Sequence, residues 1–499
     1  MCSHDVRRNF SLDQLLLSCC RRQTSFTSSL NIPCEVVQCS SLLSSHLKDA
    51  GKMLKIVLPR LVTTTAACRP PSLHLTSLLS LPSRKRASDG AATSTMRREM
   101  SGDVAGAETP SFQYFWQPGS GFYGENLGRQ AQPSVAICEE IVLSYIDAVP
   151  VPSPKGVFTI GDYGTCDGTV SLRLIHKVID HLRNKHGPDL KIQVLYEDHA
   201  SNDYNSLFKT IYGQTSYMTK FTNVFPLVCG TNFYKQCVPD NTCDIIMSSF
   251  ATVYLSNESY VRCSNTMFPW RSTSQEELRA HREAAARDWQ TFLLHRAAEL
   301  KPGGLLFDVQ AARLLGSNPP QTRTLTYPLA ENFTGVGVEC VQDIWTCFDL
   351  SWKELYMEGL ITKEEFQSCT LPLTYRTLHE IKAPFENAAM SPVPQAGLNL
   401  LNDPQEFITH CSVKKLWRQK LQTDGVDDRM MFAQLLAKAF YLVLDATLRN
   451  TLRYTRPAEE HLPIIQRLQQ TFIQKVAALN PETFRSEYVV VILAAQKSK

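Results

Sequence analysis

A chain of 499 residues can hold several ordinary domains or one large α/β domain with insertions, and its composition, 43% hydrophobic and 20% charged, argues against global disorder. The net charge of +3 is unevenly spread: the first 100 residues carry 14 Lys and Arg against 6 Asp and Glu, so the remainder is net acidic and offers no compositional sign of a basic, nucleic-acid-binding face. For this reason we expect no nucleic-acid partner. Because no apolar stretch approaches the roughly 18 residues needed to cross a bilayer, we also expect no membrane partner.

Residues 1–108 differ in composition from the rest of the chain and are left out of the fold prediction. They are rich in Ser, Leu and Arg. The stretch that follows Met53 has the Arg/Ser-rich, acid-free character of a mitochondrial transit peptide. Two other interpretations stay open: a disordered extension, or translation that begins at Met53, Met96 or Met100. We expect a cytoplasmic protein, or a mitochondrial one if translation starts at Met53.

From Thr109 onward, strand and helix patterns alternate. In chain order they are a strand (VFTIGDYG, 157–164), an amphipathic helix (171–187), a strand (KIQVLYED, 191–198), a short helix (202–211), a third strand (CDIIMSSF, 243–250), a long helix (274–300), a turn (301–304) and a fourth strand (305–310). This alternation with short turns predicts an α/β fold with a doubly wound parallel sheet.

Residues 313–384 interrupt the alternation with a helical, aromatic-rich pattern. An insertion that caps the carboxyl edge of the sheet has this character, and we interpret its aromatic residues mainly as core packing, with a lid over a substrate as the alternative. The core then comprises 109–312 and 385–499, in which 429–478 is helical and belongs either to the core or to the cap. A final strand is expected at 488–497.

The first two strands end in residues suited to a nucleoside. The first ends in Asp162-x-Gly164-x-x-x-Gly168, where glycines allow a sharp turn and close approach of a ligand. The second ends in Glu197-Asp198, and a carboxylate can accept hydrogen bonds from both ribose hydroxyls. Neither a dinucleotide fingerprint nor a phosphate loop is present, which favours S-adenosylmethionine over NAD or ATP. A plain turn and a solvated carboxylate are the alternatives.

Six ordered segments over roughly residues 112–499 resemble the SABATH family of carboxyl methyltransferases. They are FYGENLGRQ (122–130), GDYGTCDG (161–168), YEDHASNDYN (196–205), CGTNFY (229–234), SSFATVYLS (248–256) and FLLHRAAELKPGG (292–304). The resemblance implies a class I methyltransferase sheet with an α-helical cap over the active site, S-adenosylmethionine as cofactor, and the homodimeric state common among relatives.

The resemblance also assigns residues to the cofactor. Asp198 matches the ribose-binding position, Asn232 and Phe233 match the adenine segment, and His199 stands beside the adenosine. The full set of cofactor-binding residues that it implies is Tyr123, Asn126, Gly164, Asp198, His199, Asn232 and Phe233.

For the acceptor, the resemblance points to Gln130 and Tyr254. Gln130 matches the family's Gln that hydrogen-bonds the substrate carboxylate, and Tyr254 replaces the family's Trp partner while keeping a donor in its hydroxyl. These catalytic positions imply methyl transfer to a small organic acid, which gives a methyl ester. The alternative for this pair is structural: Gln130 caps a helix and Tyr254 packs in the core.

Such a reaction needs no general base and no metal. A carboxylic acid is ionised at neutral pH, so neutral donors that orient it are sufficient. Two other functions stay open: an N- or O-methyltransferase on the same fold, and a non-catalytic, cofactor-binding relative, suggested by the departures at Leu127, Asn232 and Tyr254.

Overall fold

The structure is a computed structural model. It describes residues 121, 123–124, 129–152, 156–313, 343–387, 389–409, 411–486 and 489–499. The predictions made for residues 1–108, for Asn126 and Leu127, and for residues 314–342 lie outside the described residues.

Helices and strands follow one another along the chain. The described α-helices are α1 (Arg129–Ile146), α2 (Leu172–His186), α3 (Tyr204–Ile211), α4 (Gln275–Glu299), α5 (Ile344–Met357), α6 (Lys363–Ser368), α7 (Leu378–Lys382), α8 (Pro392–Gln395), α9 (Ser412–Asp424), α10 (Arg429–Leu452) and α11 (Ala458–Ala477). The described strands are β1 (Val157–Tyr163), β2 (Lys191–Asp198), β3 (Val224–Gly230), β4 (Cys243–Ser249), β5 (Leu300–Ala312), β6 (Leu398–Leu400), β7 (Gln405–Ile408) and β8 (Val489–Lys497).

The strands form one sheet in the order β3-β2-β1-β4-β5-β8-β6, with β7 also paired to β8. The pairs among β1 to β5 are parallel, whereas β8 runs antiparallel to β5, β6 and β7. The predicted doubly wound α/β fold is therefore confirmed, with an antiparallel edge added to it. Because the chain winds outward from β1 to β3 and then returns to β4 on the other side of β1, a crevice opens at the carboxyl ends of β1 and β4.

The sequence pattern explains why these segments are strands and helices. Strands β1 and β4 are buried almost throughout, as expected of parallel strands covered on both faces. Helix α2 buries one stripe of apolar residues at helical spacing and ends at Gly187, whose φ of +82° breaks the helix. The buried stripe consists of Leu174, Ile175, Val178, Ile179 and Leu182.

The sequence analysis missed three described strands of the sheet, β3 and the short antiparallel strands β6 and β7. Strand β3 precedes CDIIMSSF, so that segment is the fourth strand along the chain and not the third. Strand β3 lies at the sheet edge, contains Pro226 and exposes Phe225 and Leu227. A proline and an exposed apolar face weaken the strand pattern, and an edge strand tolerates both.

The predicted turn at residues 301–304 is also wrong. These residues belong to β5: Cys243 pairs with Leu300, and after an irregularity Ile245 pairs with Leu305. Gly303 takes a φ of +82° within this irregular stretch. The Lys-Pro-Gly-Gly sequence therefore bends the strand without ending it.

A second hydrophobic core lies in the helical layer. It joins α5 to α10 and α11, and its centre includes the stacked rings of Phe348 and Phe472, 3.9 Å apart, together with Trp352 and Leu468. The helices of 429–478 thus share a core with α5, and this helical layer is called the cap below. The domain boundaries given above stay a prediction.

No single described helix is long and apolar enough to cross a membrane. Residues Arg429–Tyr441 and Val443–Leu452, the two halves of α10, reach the required length and hydropathy only together and are bent by 64°. Many of their apolar side chains, such as Phe432 and Leu448, are buried in the second core.

Candidate active site

A cavity of about 430 Å³ lies at the carboxyl edge of the sheet, beneath the cap. One end is formed by residues at the ends of β1 to β4. The other end is formed by the chain that follows β4 and by aromatic residues of the cap. Among the predicted site residues, those that line the cavity are Tyr123, Gly164, Asp198, His199, Asn232, Phe233 and Tyr254.

The glycine turn after β1 forms the floor of the cavity. Gly164 has a φ of +73°, and a Cβ atom added there would lie 2.1 Å from the Cβ of Ala251. The turn is tied to β2, because the amides of Gly164 and Thr165 both donate to the Glu197 carbonyl, at 2.8 and 3.0 Å. Only glycine fits this close approach between the ends of β1 and β4.

Two non-glycine residues at the cavity also take left-handed conformations. Cys166 has a φ of +53° and Phe250 a φ of +60°, and both line the cavity. Such conformations are costly for residues with a Cβ and tend to occur where function requires them. The conformation of Cys166 directs its amide toward the end of β2.

That amide donates to Asp198. One carboxylate oxygen of Asp198 accepts from the Cys166 amide and the other from the His199 amide, both at 2.7 Å. Burial raises the pKa of Asp198 to about 6, so the group is ionised at neutral pH. Since a carboxylate oxygen accepts more than one hydrogen bond, Asp198 can still bind a pair of hydroxyls.

Glu197, the neighbouring carboxyl, faces away from the cavity. It is fully buried and accepts a hydrogen bond from the Cys237 thiol at 3.6 Å. Burial, reinforced by the charge of Asp198, raises the pKa of Glu197 well above its usual range. Because side chains alternate along a strand, only one carboxyl of the pair can face the ligand, and here it is Asp198.

The loop after β3 carries the predicted adenine residues. The side-chain oxygen of Asn232 accepts from the Tyr234 amide at 2.9 Å, which makes a local turn. The ring of Phe233 packs edge-on against Phe292 of α4, at 5.8 Å between centroids. Asn232 therefore shapes the loop, and Phe233 presents an apolar surface to the cavity.

A buried ion pair on α4 holds this loop and was missed by the sequence analysis. Arg296 and Glu299 are both fully buried, and their side chains meet at 2.7 Å. Arg296 donates to the carbonyls of Phe233 and Lys235, at 2.7 and 3.1 Å, and Glu299 accepts from the Cys237 amide. The available signal was an Arg and a Glu three residues apart next to the apolar stripe of a long helix.

The sheet end of the cavity fits an adenosyl group. It offers a cradle that a Cβ at Gly164 would fill, a carboxylate with unused acceptor capacity at Asp198, and an aromatic surface at Phe233. Tyr123 and His199 border the same space, and the His199 ring lies 2.8 Å from the Ser201 hydroxyl. This donor set suits a nucleoside that carries no phosphate.

Tyr254 lies between the two ends of the cavity, and its main chain is held firmly. Its carbonyl accepts from the Tyr234 hydroxyl at 2.5 Å, and it forms an isolated bridge with Leu373. Among the described residues its hydroxyl has no hydrogen-bond partner. Burial raises the pKa of Tyr254 further above neutrality, as do the nearby Cys166 and Asp198, so the hydroxyl stays protonated and available as a donor.

The other predicted acceptor residue, Gln130, belongs to the first turn of α1. Its side chain lies outside the described residues, as does all of Asn126. The next residue, Ala131, lines the cavity, so the start of α1 borders the site. Whether the side chains of Gln130 and Tyr254 meet a common ligand stays a prediction.

Three cap aromatics form the far wall of the cavity. The Trp345 ring lies 5.7 Å from Tyr375 and 5.4 Å from Phe440, and all three line the cavity. Phe348 and Trp352, on the same helix as Trp345, instead pack in the second core. The two interpretations of the cap aromatics thus apply to different residues: Trp345 covers the site, and its helical neighbours support it.

The described side chains that line the cavity and can carry a charge near neutral pH are those of Asp198, His199, Asp343 and Arg485. The pKa of the Cys166 thiol is raised well above its usual range by burial, which keeps it neutral. Within the described ranges, no group of three or more His, Cys, Asp or Glu side chains is placed to hold a metal ion.

Comparisons with known proteins agree with this geometry. The model of the family described as SAM dependent carboxyl methyltransferase matches residues 121–398. A probable S-adenosylmethionine-dependent methyltransferase from Arabidopsis thaliana is 24% identical over 346 residues, which are 62% of this chain and 86% of that protein. Farnesoic acid carboxyl-O-methyltransferase from the same plant is 23% identical over 288 residues, 56% of this chain and 76% of that one.

A solved structure shares the fold. Loganic acid methyltransferase with SAH superimposes with a TM-score of 0.54 at 16% identity, over 76% of this chain and 97% of that chain. Together with the family match, this likeness agrees with the α/β fold described above.

Proposed function

The chain belongs to the SAM dependent carboxyl methyltransferase family, and from that premise we propose that its acceptor is a small, largely apolar organic acid bound between Tyr254 and the cap aromatics. The enzyme is an S-adenosylmethionine-dependent methyltransferase that forms the methyl ester of a carboxylate. The residue roles and the kind of acid given below belong to the proposal.

The sheet end of the cavity would hold the cofactor. Asp198 would accept hydrogen bonds from the ribose hydroxyls, and Phe233 and Asn232 would border the adenine. Gly164 leaves the space that the cofactor needs, and Tyr123 and His199 would close its sides. When bound, S-adenosylmethionine supplies a methyl group activated by a sulfonium.

The cap end would hold the acid. Its wall is built mainly from aromatic and aliphatic side chains, including Trp345, Phe440 and Leu373, so it favours a largely apolar body. Asp343 and Arg485 also line the cavity and add a polar part to the lining. Apolar walls also exclude water from the reacting carboxylate, which leaves its oxygen free to attack the methyl carbon. Two of the relatives are likewise named for organic acids, farnesoic acid and loganic acid.

The chain needs to orient the carboxylate and does not need to activate it. The neutral hydroxyl of Tyr254 would donate to one carboxylate oxygen and leave the other free to meet the methyl carbon in line, at about 3–3.5 Å. Gln130 would supply the second donor. A guanidinium at this position would stabilise the anionic ground state and oppose the charge neutralisation that accompanies transfer.

One observation carries this assignment: the Tyr254 hydroxyl, protonated and without a hydrogen-bond partner among the described residues, lies between the Asp198 end of the cavity and an aromatic wall. The corresponding experiment is a rate comparison on acids of equal charge and increasing apolar size, each with S-adenosylmethionine. The proposal expects kcat/KM to rise with apolar size until the cavity is filled. Faster turnover of small hydroxylated or dicarboxylic acids would overturn the apolar assignment.

A further inference from the structure

A second, smaller cavity of about 30 Å³ lies on the other side of the segment that carries Tyr375. Tyr375 borders both this cavity and the active-site cavity, whose cap end is the proposed acceptor site and is called the acceptor cavity below. Helix α4 contributes His281 and Arg282 to its wall, and Arg313, Arg376 and Glu380 complete its polar lining.

Two buried side chains at this cavity, those of His281 and Arg376, carry nitrogen atoms that have no hydrogen-bond partner among the described residues. His281 is 2% exposed, and neither of its ring nitrogens meets a partner among the described residues. Arg376 is also 2% exposed, and its Nε–H is likewise unpartnered within the part of the chain that the structure describes. A buried donor without an acceptor is costly, so a bound species that accepts hydrogen bonds is expected here.

The charge of Arg376 indicates which kind of hydrogen-bond acceptor is expected to bind here. Its guanidinium donates to the carbonyls of Thr252 and Ala285, at 2.7 and 3.0 Å, and to the side-chain oxygen of Gln310 at 3.3 Å, and it lies beside the Tyr234 hydroxyl. All these hydrogen-bond partners are neutral, and among the described residues Arg376 forms no ion pair within 4.0 Å. The nearby buried carboxyl of Asp308, whose pKa burial raises and the Arg376 charge lowers, is linked to the guanidinium through the Gln310 side chain and not by a direct ion pair. A buried cation held only by neutral acceptors keeps a large desolvation cost.

The other charged side chains that line this cavity do not offset the desolvation cost of Arg376. The single carboxylate of the cavity, Glu380, already pairs with Arg313 at 3.1 Å. Arg282 adds a third guanidinium on the exposed side. His281 is neutral, because burial, together with the nearby charges of Arg376, Arg313 and Arg282, lowers its pKa to about 4. The cavity therefore has an excess of positive charge.

We propose that this cavity is a binding site for a small monovalent anion of the halide class, chloride under ordinary conditions. The Nε–H of Arg376 and one ring N–H of His281 would donate to it, and Arg282 would stand at the entrance. A space of this size holds about two water molecules, which suffices for one chloride ion. Water alone would satisfy the donors but leave Asp308, which does not pair directly with Arg376, as the nearby opposing charge.

Occupancy would stabilise the wall of the acceptor cavity. Arg376 binds the Thr252 carbonyl, and the Thr374 amide donates to the Val253 carbonyl at 2.8 Å, directly before Tyr254. An anion that fixes Arg376 thus fixes the strand-like pairing behind Tyr254. Because binding to the folded state alone raises stability, halide should raise the melting temperature in a saturable way.

The test uses the full-length protein and bromide as the probe. A crystal grown in sodium bromide should show an anomalous peak beside Arg376 Nε and His281, and the melting temperature should rise more with sodium bromide or chloride than with sodium gluconate of equal ionic strength. The variant His281→Phe, which fills the cavity, should lose this anion preference. Arg287→Leu, on the exposed side of the same helix, should keep it.

Water density without an anomalous signal in bromide, or equal melting temperatures in halide and gluconate for the native protein, would overturn the proposal. Both measurements are made on the native chain, so they decide the question even if His281→Phe does not fold.

Discussion

The two ends of the active-site cavity are built in different ways. At the sheet end, Gly164, Asp198 and Asn232 each lie at or just after the end of a parallel strand, so the pairing of β1, β2 and β3 places them side by side. At the cap end, Trp345 and Phe440 come from helices far apart in the chain. Cofactor recognition is therefore encoded in short local motifs, whereas the acceptor wall depends on long-range packing.

This contrast predicts that the sheet end tolerates change least. In Gly164→Ala, the new Cβ would meet Ala251 at 2.1 Å, and the residue would keep a φ of +73°. The combined strain and overpacking should cost roughly 2–5 kcal/mol of stability or abolish cofactor binding through movement of the turn. Thermal unfolding and cofactor titration measure the two effects.

Gly187→Ala is the matched control. Gly187 has a φ of +82° but no atom within 4 Å of an added Cβ. It should lose only the backbone strain of roughly 1–3 kcal/mol that its φ of 82° and ψ of 177° impose on a residue with a Cβ, and bind the cofactor normally. Equal behaviour of the two variants would show that the close approach at Gly164 has no role in the site.

The second prediction separates the two adjacent carboxyls. Asp198→Ala should weaken cofactor binding by about 10- to 150-fold, because charge-assisted hydrogen bonds of about 1.5–3 kcal/mol are lost. Glu197→Gln should bind nearly normally, since Glu197 faces away from the cavity and its raised pKa keeps it protonated. Calorimetric titration of both variants with the cofactor measures the two affinities. The reverse ranking would show that Glu197, and not Asp198, binds the ribose.

The pH dependence of cofactor binding tests the same residue. The pKa of Asp198 is raised to about 6 by burial, and only the ionised form accepts hydrogen bonds at full strength. Affinity should therefore be constant above about pH 7 and fall as the pH drops through 6. Affinity that stays constant down to pH 5 would contradict this role.

The third prediction concerns the cap. Trp345→Ala should raise the KM for an apolar acid by roughly 5- to 100-fold through lost apolar contact and leave cofactor affinity unchanged. Trp352→Phe, about two turns further along α5 in the second core, should lower stability with little change in KM. If both variants changed only stability, the cap wall would be packing and not a binding surface.

The smallest effects are expected at the acceptor donors. Tyr254→Phe and Gln130→Ala each remove one neutral hydrogen bond, worth about 0.5–1.5 kcal/mol, and should reduce turnover more than affinity because the carboxylate is misaligned. Tyr254→Trp should be tolerated or shift the preference among acids. Steady-state kinetics on one acid tests all three, and unchanged kinetics in Tyr254→Phe and Gln130→Ala would place the acceptor elsewhere.

Sequence reasoning was most successful where the local pattern and the structure coincide. Strands β1 and β2, their glycine turn and the cofactor class follow from long apolar runs that end in Gly or Asp. The choice between Glu197 and Asp198 as the ribose ligand cannot be made from the local sequence, because it depends on which face of β2 each side chain occupies. The hydrogen bonds to the Cys166 amide and the Cys237 thiol show that the two carboxyls have different surroundings, which supports Asp198 as the proposed ribose ligand.

Features that arise from distant contacts were beyond the sequence. Strand β3 is an edge strand interrupted by Pro226, so its pattern is weak. Arg296 looks like an ordinary charged residue of an amphipathic helix until its contacts with the adenine loop are seen. The position of Trp345 on the cavity, next to core residues of the same helix, likewise depends on how α5 packs against α10.

The most direct test of the account offers the enzyme three acceptors with the same apolar body that end in a carboxylate, a hydroxyl or an amine. With labelled S-adenosylmethionine, the account predicts label only in the acid, as a methyl ester that alkali hydrolyses. The proposed donors to the acceptor, Tyr254 and Gln130, are neutral, and the account assigns no side chain the role of general base, so the alcohol and the amine should remain unmodified. Alkali-stable label on the alcohol or amine, with the acid untouched, would contradict the assignment of a carboxylate as the acceptor.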